Sequence, residues 1–209
     1  MAPAPDTTVD FWFDPVCPYS WTASRWLAEV AASRAIMVRH HVMSLYLLNE
    51  HRSDVAPDYR RSVEASRGPA RVAAGVALRC GGPALERFYT AFGQRVFDVW
   101  RRPSAQEYHA VVRKALRDLA LPAHLEDAMD TEEYDGVLRA SHERGVALVG
   151  GEAGTPITSI DGVAFFGPVL NAIPRGEQAV QVFDGARQLA AYPEFFELKR
   201  TRVRPPVFS

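Results

Sequence analysis

The chain has 209 residues, of which 47% are hydrophobic and 23% are charged, and its formal net charge is -1. A chain of this length and composition can bury a full hydrophobic core without help from disulfides or metals. The nearly balanced charge argues against a dedicated electrostatic binder of nucleic acid, and no apolar run is long enough to span a membrane.

The cysteine count and the N-terminal sequence indicate a cytoplasmic protein. Two cysteines, Cys17 and Cys80, are too few for a disulfide scaffold, so both are expected to be free. Residues 1–10 contain neither the basic cluster nor the apolar run of a signal peptide. The six histidines show no ligand spacing with cysteines or carboxylates, and we therefore expect no metal site.

The first part of the chain predicts a strand, a helix and a second strand. Residues 9–13 are mostly apolar and aromatic, which favours a short buried strand that ends at Asp14-Pro15. Cys17-Pro18 then opens a helix to about residue 33, because proline suits the first helical position. Residues 36–43 are rich in β-branched side chains and predict a strand parallel to the first.

The middle of the chain, residues 55–149, shows helical periodicity and no convincing strand. We expect four or five helices there, separated by stop signals at Gly68-Pro69, Gly81-Gly82-Pro83, Arg102-Pro103 and Leu121-Pro122. Ser104 and Thr131 are the predicted N-caps.

The last part of the chain predicts two strands and a helix. Residues 156–160 and 163–166 are short apolar runs joined by Asp161-Gly162, a pair that favours a tight hairpin. A helix over about residues 175–190 and a tail follow. We therefore predict an α/β fold with its core in residues 1–50 and 150–209, and an all-helical insertion over residues 51–149.

Cys17 is the candidate nucleophile, because it follows a strand and stands at the start of a helix. Free backbone N–H groups and the helix dipole stabilise an anion there, and such cysteines have pKa values of roughly 3.5 to 7.5. Ser20 lies one turn further on, where its hydroxyl can donate a hydrogen bond to the thiolate. The plainer interpretation is that Cys17 is a small buried residue that caps a helix.

The motif Cys17-Pro18-Tyr19-Ser20 is a monothiol version of a two-cysteine redox motif, since Ser20 cannot form a disulfide. A mixed disulfide formed at Cys17 must therefore be released by an external thiol. Tyr19 flanks the thiol and is a candidate wall for a planar substrate. Cys80 is interpreted as a structural cysteine at a helix end.

Two further candidates follow the second strand, at the end of the sheet where sites of α/β proteins usually lie. Asn49 and Tyr59 either contact a thiol cofactor or substrate, or are loop residues beside a helix start. The sequence does not decide between these interpretations.

Several stretches of the chain resemble one family. They are Asp10-Phe11-Trp12-Phe13-Asp14-Pro15-Val16-Cys17-Pro18-Tyr19, Gly154-Thr155-Pro156, Gly162-Val163-Ala164-Phe165-Phe166-Gly167-Pro168-Val169-Leu170 and Ile173-Pro174-Arg175-Gly176-Glu177. Together they resemble the DsbA-like branch of thioredoxin-fold proteins, and within it the actinobacterial mycothiol-dependent nitroreductases.

The resemblance implies a thioredoxin-like core with an inserted helical domain, and a cytoplasmic enzyme. Such an enzyme uses mycothiol, the low-molecular-weight thiol of actinobacteria, to reduce disulfides or electrophilic small molecules. It also implies that Pro156 is a cis proline beside Cys17, and that the backbone of Thr155 pairs with a peptide-like thiol substrate. Pro18, Tyr19, Thr155 and Pro156 would then contact the thiol, together with Asn49 and Tyr59.

Better-known members of the family carry a second cysteine where this chain has Ser20. The difference leaves a monothiol route, or thiol transfer and isomerisation like that of the kappa-class glutathione transferases, in which Cys17 or Ser20 only positions a cofactor's sulfur. A binding module that has lost catalysis is the third alternative. The expected partners are a small thiol and a small electrophile or disulfide, and the sequence leaves the choice between monomer and homodimer open.

Overall fold

The strands and helices follow one another in nearly the order that the sequence predicts. The computed structural model describes residues 7–98 and 103–208. In chain order its elements are β1 (Thr7–Phe13), α1 (Pro18–Ala31), β2 (Ile36–Val42), α2 (Leu45–Asn49), α3 (Pro57–Cys80), α4 (Gly82–Phe97), α5 (Ala105–Asp118), a 3-10 helix (Ala123–Met129), α6 (Asp135–Ala147), β3 (Ile157–Ile160), β4 (Val163–Phe166) and α7 (Gly176–Ala190). Residues 1–6 of the N-terminal segment, and Arg102 of the predicted break at Arg102-Pro103, lie outside the described residues.

The four strands form one sheet in the order β2-β1-β3-β4. β1 runs parallel to β2 and antiparallel to β3, and β4 is antiparallel to β3. Because β1 is central, the loop that leaves its carboxyl end at Phe13 brings Cys17 to the middle of one edge of the fold. The α/β prediction is confirmed, with α2–α6 placed between β2 and β3 in the chain. The exact division at residues 50 and 150 stays a prediction.

The hairpin between β3 and β4 has the predicted turn. Asp161 and Gly162 have φ angles of 51° and 91°, so both central residues adopt the left-handed conformation of a two-residue hairpin. The β3 register against β1, with Ile160 opposite Val9 and Ile157 opposite Trp12, then fixes where Thr155 enters the site.

The predicted break at Gly68-Pro69 is wrong, because α3 continues through both residues. A proline inside a helix removes one backbone hydrogen bond and typically costs about 3 kcal/mol or more. Tertiary packing offsets this cost here, since both residues are buried and Gly68 lies against Met129, whose sulfur would be 3.0 Å from an added Cβ.

The two predicted N-caps had different outcomes. Ser104 is confirmed, since its side chain accepts a hydrogen bond from the backbone N–H of Glu107 in a complete capping box. Thr131 is not a cap, because α6 begins at Asp135 and the Thr131 hydroxyl instead donates to the carbonyl of Asp127 at 3.0 Å.

The core beneath α1 is aromatic and tightly packed. The Trp21 ring stacks on Phe97 at 5.4 Å between centroids and meets Tyr89 edge-on at 5.7 Å. α4 approaches this ring through Gly93, where an added Cβ would lie 2.2 Å from a ring carbon of Trp21. Only glycine fits there without movement, so α4 and α1 pack closely beside Cys17.

The described part of the chain contains no helix that is both long enough and apolar enough to cross a membrane.

Candidate active site

Cys17 is the N-cap residue of α1, with Pro18 at the first helical position. The predicted helix start is therefore confirmed. The backbone N–H of Cys17 donates to the carbonyl of Asp14 at 3.1 Å, which closes a tight turn between β1 and the helix. The Cys17 side chain is free of any disulfide, but only 4% of its surface is exposed.

Thr155 and Pro156 lie against this cysteine from the other half of the sheet. The Thr155-Pro156 peptide bond is cis, as the resemblance implied. The Cys17 thiol donates to the carbonyl of Thr155 at 3.6 Å, and the Thr155 and Ser20 hydroxyls are 2.8 Å apart. Thr155 also accepts a hydrogen bond from the backbone N–H of Asp14 at 3.3 Å. Thr155 thus contacts Cys17, Ser20 and the backbone of Asp14 at once.

The expectation of a low pKa for Cys17 is not supported by its surroundings. Burial raises the pKa of the thiol to about 11. The backbone N–H and hydroxyl of Ser20 and the backbone N–H of Tyr19 act in the opposite direction, but they do not outweigh the loss of water. The helix start stabilises a thiolate locally, whereas the protein around it keeps the resting thiol protonated.

Asp14 is the charged group that acts on Cys17. Its carboxylate is fully buried and accepts hydrogen bonds from the backbone N–H groups of Val16 at 2.8 Å and Leu45 at 2.7 Å. Burial nevertheless raises the pKa of Asp14 to about 7. When Asp14 is ionised, its negative charge raises the pKa of Cys17 further. Asp14 therefore links the β1 loop to the start of α2 and opposes formation of the thiolate.

Asn49 and Tyr59 lie together near the thiol. The Asn49 amide is buried and donates to the carbonyl of Leu45 at 2.8 Å, which holds it at the end of α2. A hydrogen bond from Asn49 stabilises the Tyr59 phenolate, but burial is the larger effect and raises the pKa of Tyr59. The Cys17 charge acts in the same direction, so Tyr59 is within electrostatic range of the thiol. Its ring is still 38% exposed and can meet a ligand.

Two residues of this region are not among the predicted site residues. The sequence predicts only that Asp14 ends a strand, and the burial of its carboxylate follows from the fold. Arg202 belongs to the tail, yet its guanidinium lies over the Tyr19 ring, 5.2 Å from the centroid. No sequence pattern predicts that contact, because 183 residues separate the two positions in the chain.

No metal site is found in the parts of the chain for which side chains are described, since nowhere in them do three His, Cys, Asp or Glu side chains converge. The polar groups around Cys17 are hydroxyls, backbone groups and the buried carboxylate of Asp14.

The chain matches known proteins over most of its length. Residues 16–200 match the Rv2466c-like family, described as mycothiol-dependent nitroreductase Rv2466c. The chain belongs to this family. It is also 33% identical over 199 residues to the uncharacterized protein Rv2286c of Mycobacterium tuberculosis, which covers 94% of this chain and 83% of the relative.

Solved structures show the same fold as this Rv2466c-like chain. It resembles 2-hydroxychromene-2-carboxylate isomerase with a TM-score of 0.58 and 13% identity, over 87% of this chain and 94% of that one. It also resembles a protein described as a probable DsbA oxidoreductase, SCO1869 of Streptomyces coelicolor, with a TM-score of 0.56 and 16% identity over 94% of both chains. The predicted DsbA-like thioredoxin fold and the mycothiol-dependent group are thereby confirmed.

Proposed function

We propose that this Rv2466c-like protein is a mycothiol-dependent oxidoreductase in which Cys17 is the reacting thiol and works without a second cysteine. The observation that carries the proposal is the convergence of Cys17, Ser20 and the cis Thr155-Pro156 bond at the start of α1. A thiol placed beside a hydroxyl and the backbone carbonyl of Thr155 suits the binding of a second sulfur compound.

The reaction begins with a thiolate at Cys17, which attacks one sulfur of a disulfide substrate. A bond forms between the Cys17 sulfur and that substrate sulfur, while the substrate's own S–S bond breaks and its other half leaves as a thiolate. Mycothiol then attacks the substrate sulfur in this mixed disulfide, which restores the Cys17 thiolate and produces a mycothiol mixed disulfide. A second mycothiol attacks the mycothiol sulfur of that mixed disulfide and releases the remaining half of the substrate as a thiol. The substrate disulfide has then become two thiols, and the two mycothiol molecules have lost one electron pair and form mycothiol disulfide.

Ionisation of Cys17 has to accompany substrate binding, because burial raises the pKa of the resting thiol to about 11. The groups that donate hydrogen bonds to the thiolate are already in place. They are the Ser20 hydroxyl and the backbone N–H groups of Tyr19 and Ser20. The Cys17 proton leaves to solvent or to the substrate's departing sulfur. A protonated Asp14 favours this step, since the opposing negative charge is then absent.

A small thiol fits the groups that surround Cys17. Thr155 offers a backbone edge, Pro18 and Tyr19 are half-buried beside the sulfur, and Asn49 and Tyr59 supply polar atoms from α2 and α3. These are the residues that we propose hold mycothiol or the substrate. For a nitro compound, two mycothiol molecules would supply the two electrons and two protons that convert a nitro group to a nitroso group and water.

The proposal is tested by the adduct that the protein forms with mycothiol disulfide. Intact-protein mass spectrometry of the wild type should show one mycothiol unit on Cys17, released by excess mycothiol. Cys17→Ser should show none, whereas the matched variant Cys80→Ser should behave as the wild type. Absence of the adduct from the wild type would overturn the thiol oxidoreductase proposal and leave the transferase and the binding module as alternatives.

A second candidate function is a thiol-dependent transferase or isomerase, favoured by the deep burial and raised pKa of Cys17. In that reaction Ser20 or Cys17 only positions the sulfur of the thiol cofactor. Cys17→Ser would then retain turnover of an electrophilic substrate with mycothiol, whereas the nucleophile proposal predicts its loss. We place the activity in the cytoplasm, where a reducing thiol pool keeps Cys17 free.

A further inference from the structure

The C-terminal tail is fastened across the start of α1. The Asn171 side chain donates to the carbonyl of Pro205 at 2.9 Å, and the backbone N–H of Val207 donates to the Asn171 carbonyl at 2.7 Å. The Phe208 ring lies 5.2 Å from that of Phe97, which is the ring that stacks on Trp21. The tail is therefore held at two points, by Asn171 and by the aromatic cluster that contains Trp21 of α1.

The loop that receives the tail is itself tied to α1. The Thr22 hydroxyl donates to the carbonyl of Leu170 at 2.8 Å, one residue before Asn171. The loop and the tail thus lie together beside Thr22 of α1. Residues 198–208 of the tail contain four cations and no acidic residue, and these cations are Lys199, Arg200, Arg202 and Arg204.

Arg202 is the cation that reaches the motif. Its guanidinium lies 5.2 Å from the centroid of the Tyr19 ring, a distance at which the charge is attracted to the ring face. The backbone N–H of the same Tyr19 faces the Cys17 sulfur. One residue therefore connects the guanidinium to the reacting atom, and the Arg202 side chain remains exposed to an incoming ligand.

We propose that Arg202 selects substrates that carry a negative group, such as a carboxylate, close to the atom that Cys17 attacks. The inference deepens the proposed function and rests on it. The acidic group that acts on the thiol is Asp14, which is buried and cannot reach a ligand. Arg202 is exposed and lies over Tyr19, the neighbour of Pro18 in the motif, so its positive charge is available to a ligand that contacts this ring.

The test compares two alkylating reagents that differ in charge, iodoacetate and iodoacetamide. In each reaction the Cys17 proton is lost, the sulfur bonds to the reagent's methylene carbon, and iodide leaves. The quantity measured is the ratio of the two rates at Cys17, divided by the same ratio at Cys80 in the same molecule. This removes the intrinsic difference between the reagents and leaves the local electrostatic preference of the site.

The expected result is that Arg202→Ala lowers the normalised ratio about fourfold. This is the size for unit charges about 10 Å apart at an effective dielectric constant of about 40. Arg202→Lys should keep most of the preference, and the charge-matched control Arg204→Ala should change the ratio less than twofold. High salt should lower the wild-type ratio but not that of Arg202→Ala, which a purely structural role of Arg202 does not predict.

Two results would overturn the proposal in different ways. An unchanged ratio in Arg202→Ala, with Cys17 alkylated by both reagents, would remove the selectivity and leave the thiol mechanism standing. If neither reagent modified Cys17 while Cys80 reacted, the inference would fail; if mycothiol disulfide also gave no adduct at Cys17, the proposed function would fail with it.

Discussion

Replacing Asp14 with asparagine should remove a pH dependence of stability that this one carboxyl causes. Below about pH 3.8 Asp14 is protonated in both the folded and the unfolded chain. Between there and about pH 7 the unfolded chain releases the proton while the folded protein keeps it, so the free energy of unfolding falls as pH rises. The difference between 3.8 and about 7 corresponds to a loss of about 4 kcal/mol.

The Asp14→Asn variant has a cost of its own that does not depend on pH. Asparagine offers one oxygen to the two backbone N–H groups of Val16 and Leu45, so one buried donor is left facing an amide NH₂ group. An unsatisfied buried donor costs about 1 to 3 kcal/mol. We therefore expect the variant to be about 2 kcal/mol less stable than the wild type at pH 4 and about 2 kcal/mol more stable at pH 8.

Urea unfolding, followed by tryptophan fluorescence at a series of pH values, measures the pH at which the unfolding free energies of the two proteins become equal. Asp184→Asn is the control, because its carboxylate lies on the surface in an ion pair with Arg34, and that variant should parallel the wild type. Wild-type and Asp14→Asn curves that stay parallel from pH 4 to 8 would falsify the raised pKa. The variant should also alkylate faster at Cys17 above pH 7, since an opposing charge has been removed.

Three other substitutions give separate tests. Burial lowers the pKa of His40 to about 4, so His40 contributes about 3 kcal/mol of stability that is lost as pH falls from 6.5 through 4, opposite in sign to the Asp14 contribution; the wild type should therefore lose about 3 kcal/mol relative to His40→Phe over this range. Gly93→Ala should lower the unfolding free energy by about 2 kcal/mol, because its Cβ would enter the indole ring on α1, whereas Gly185→Ala, in open space on α7, should raise it by up to about 1 kcal/mol. Thermal melting that ranks these two glycine variants equally would contradict the packing. Ser20→Cys should form a disulfide with Cys17 under mild oxidant, seen as the loss of two hydrogens by mass spectrometry, and a persistent dithiol would show that the two side chains do not meet.

Most of the fold could be predicted because its signals are local. Strand composition, the proline after Cys17 and the Asp161-Gly162 pair each act within a few residues, and the structure has an element boundary at each. The break at Gly68-Pro69 was wrong because contacts with Met129, far along the chain, stabilise a helix that local preference opposes. Sequence spacing contains no information about such contacts.

The site was predictable in position but not in electrostatics. Cys17, Ser20 and Thr155 could be identified from motif and resemblance, and the structure brings them together. The pKa of Cys17 could not be predicted, because a helix start is visible in the sequence while the depth of burial is not. Asp14 and Arg202 act on the site through the folded arrangement alone, so they were found only in the structure.

Cys17 and Thr155, which meet in the site, are synthesised far apart in time. Cys17 and the carbonyl of Thr155 that accepts its hydrogen bond are separated by 138 residues. At about 5 to 20 residues per second, a ribosome needs roughly 7 to 28 s to add that length of chain. A nascent Cys17 therefore waits in water with the ordinary acidity of an exposed thiol, open to cellular oxidants and electrophiles. The contact with Thr155 forms only after that delay, so the finished protein, in which Cys17 is 4% exposed, protects this thiol better than its own unfinished chain.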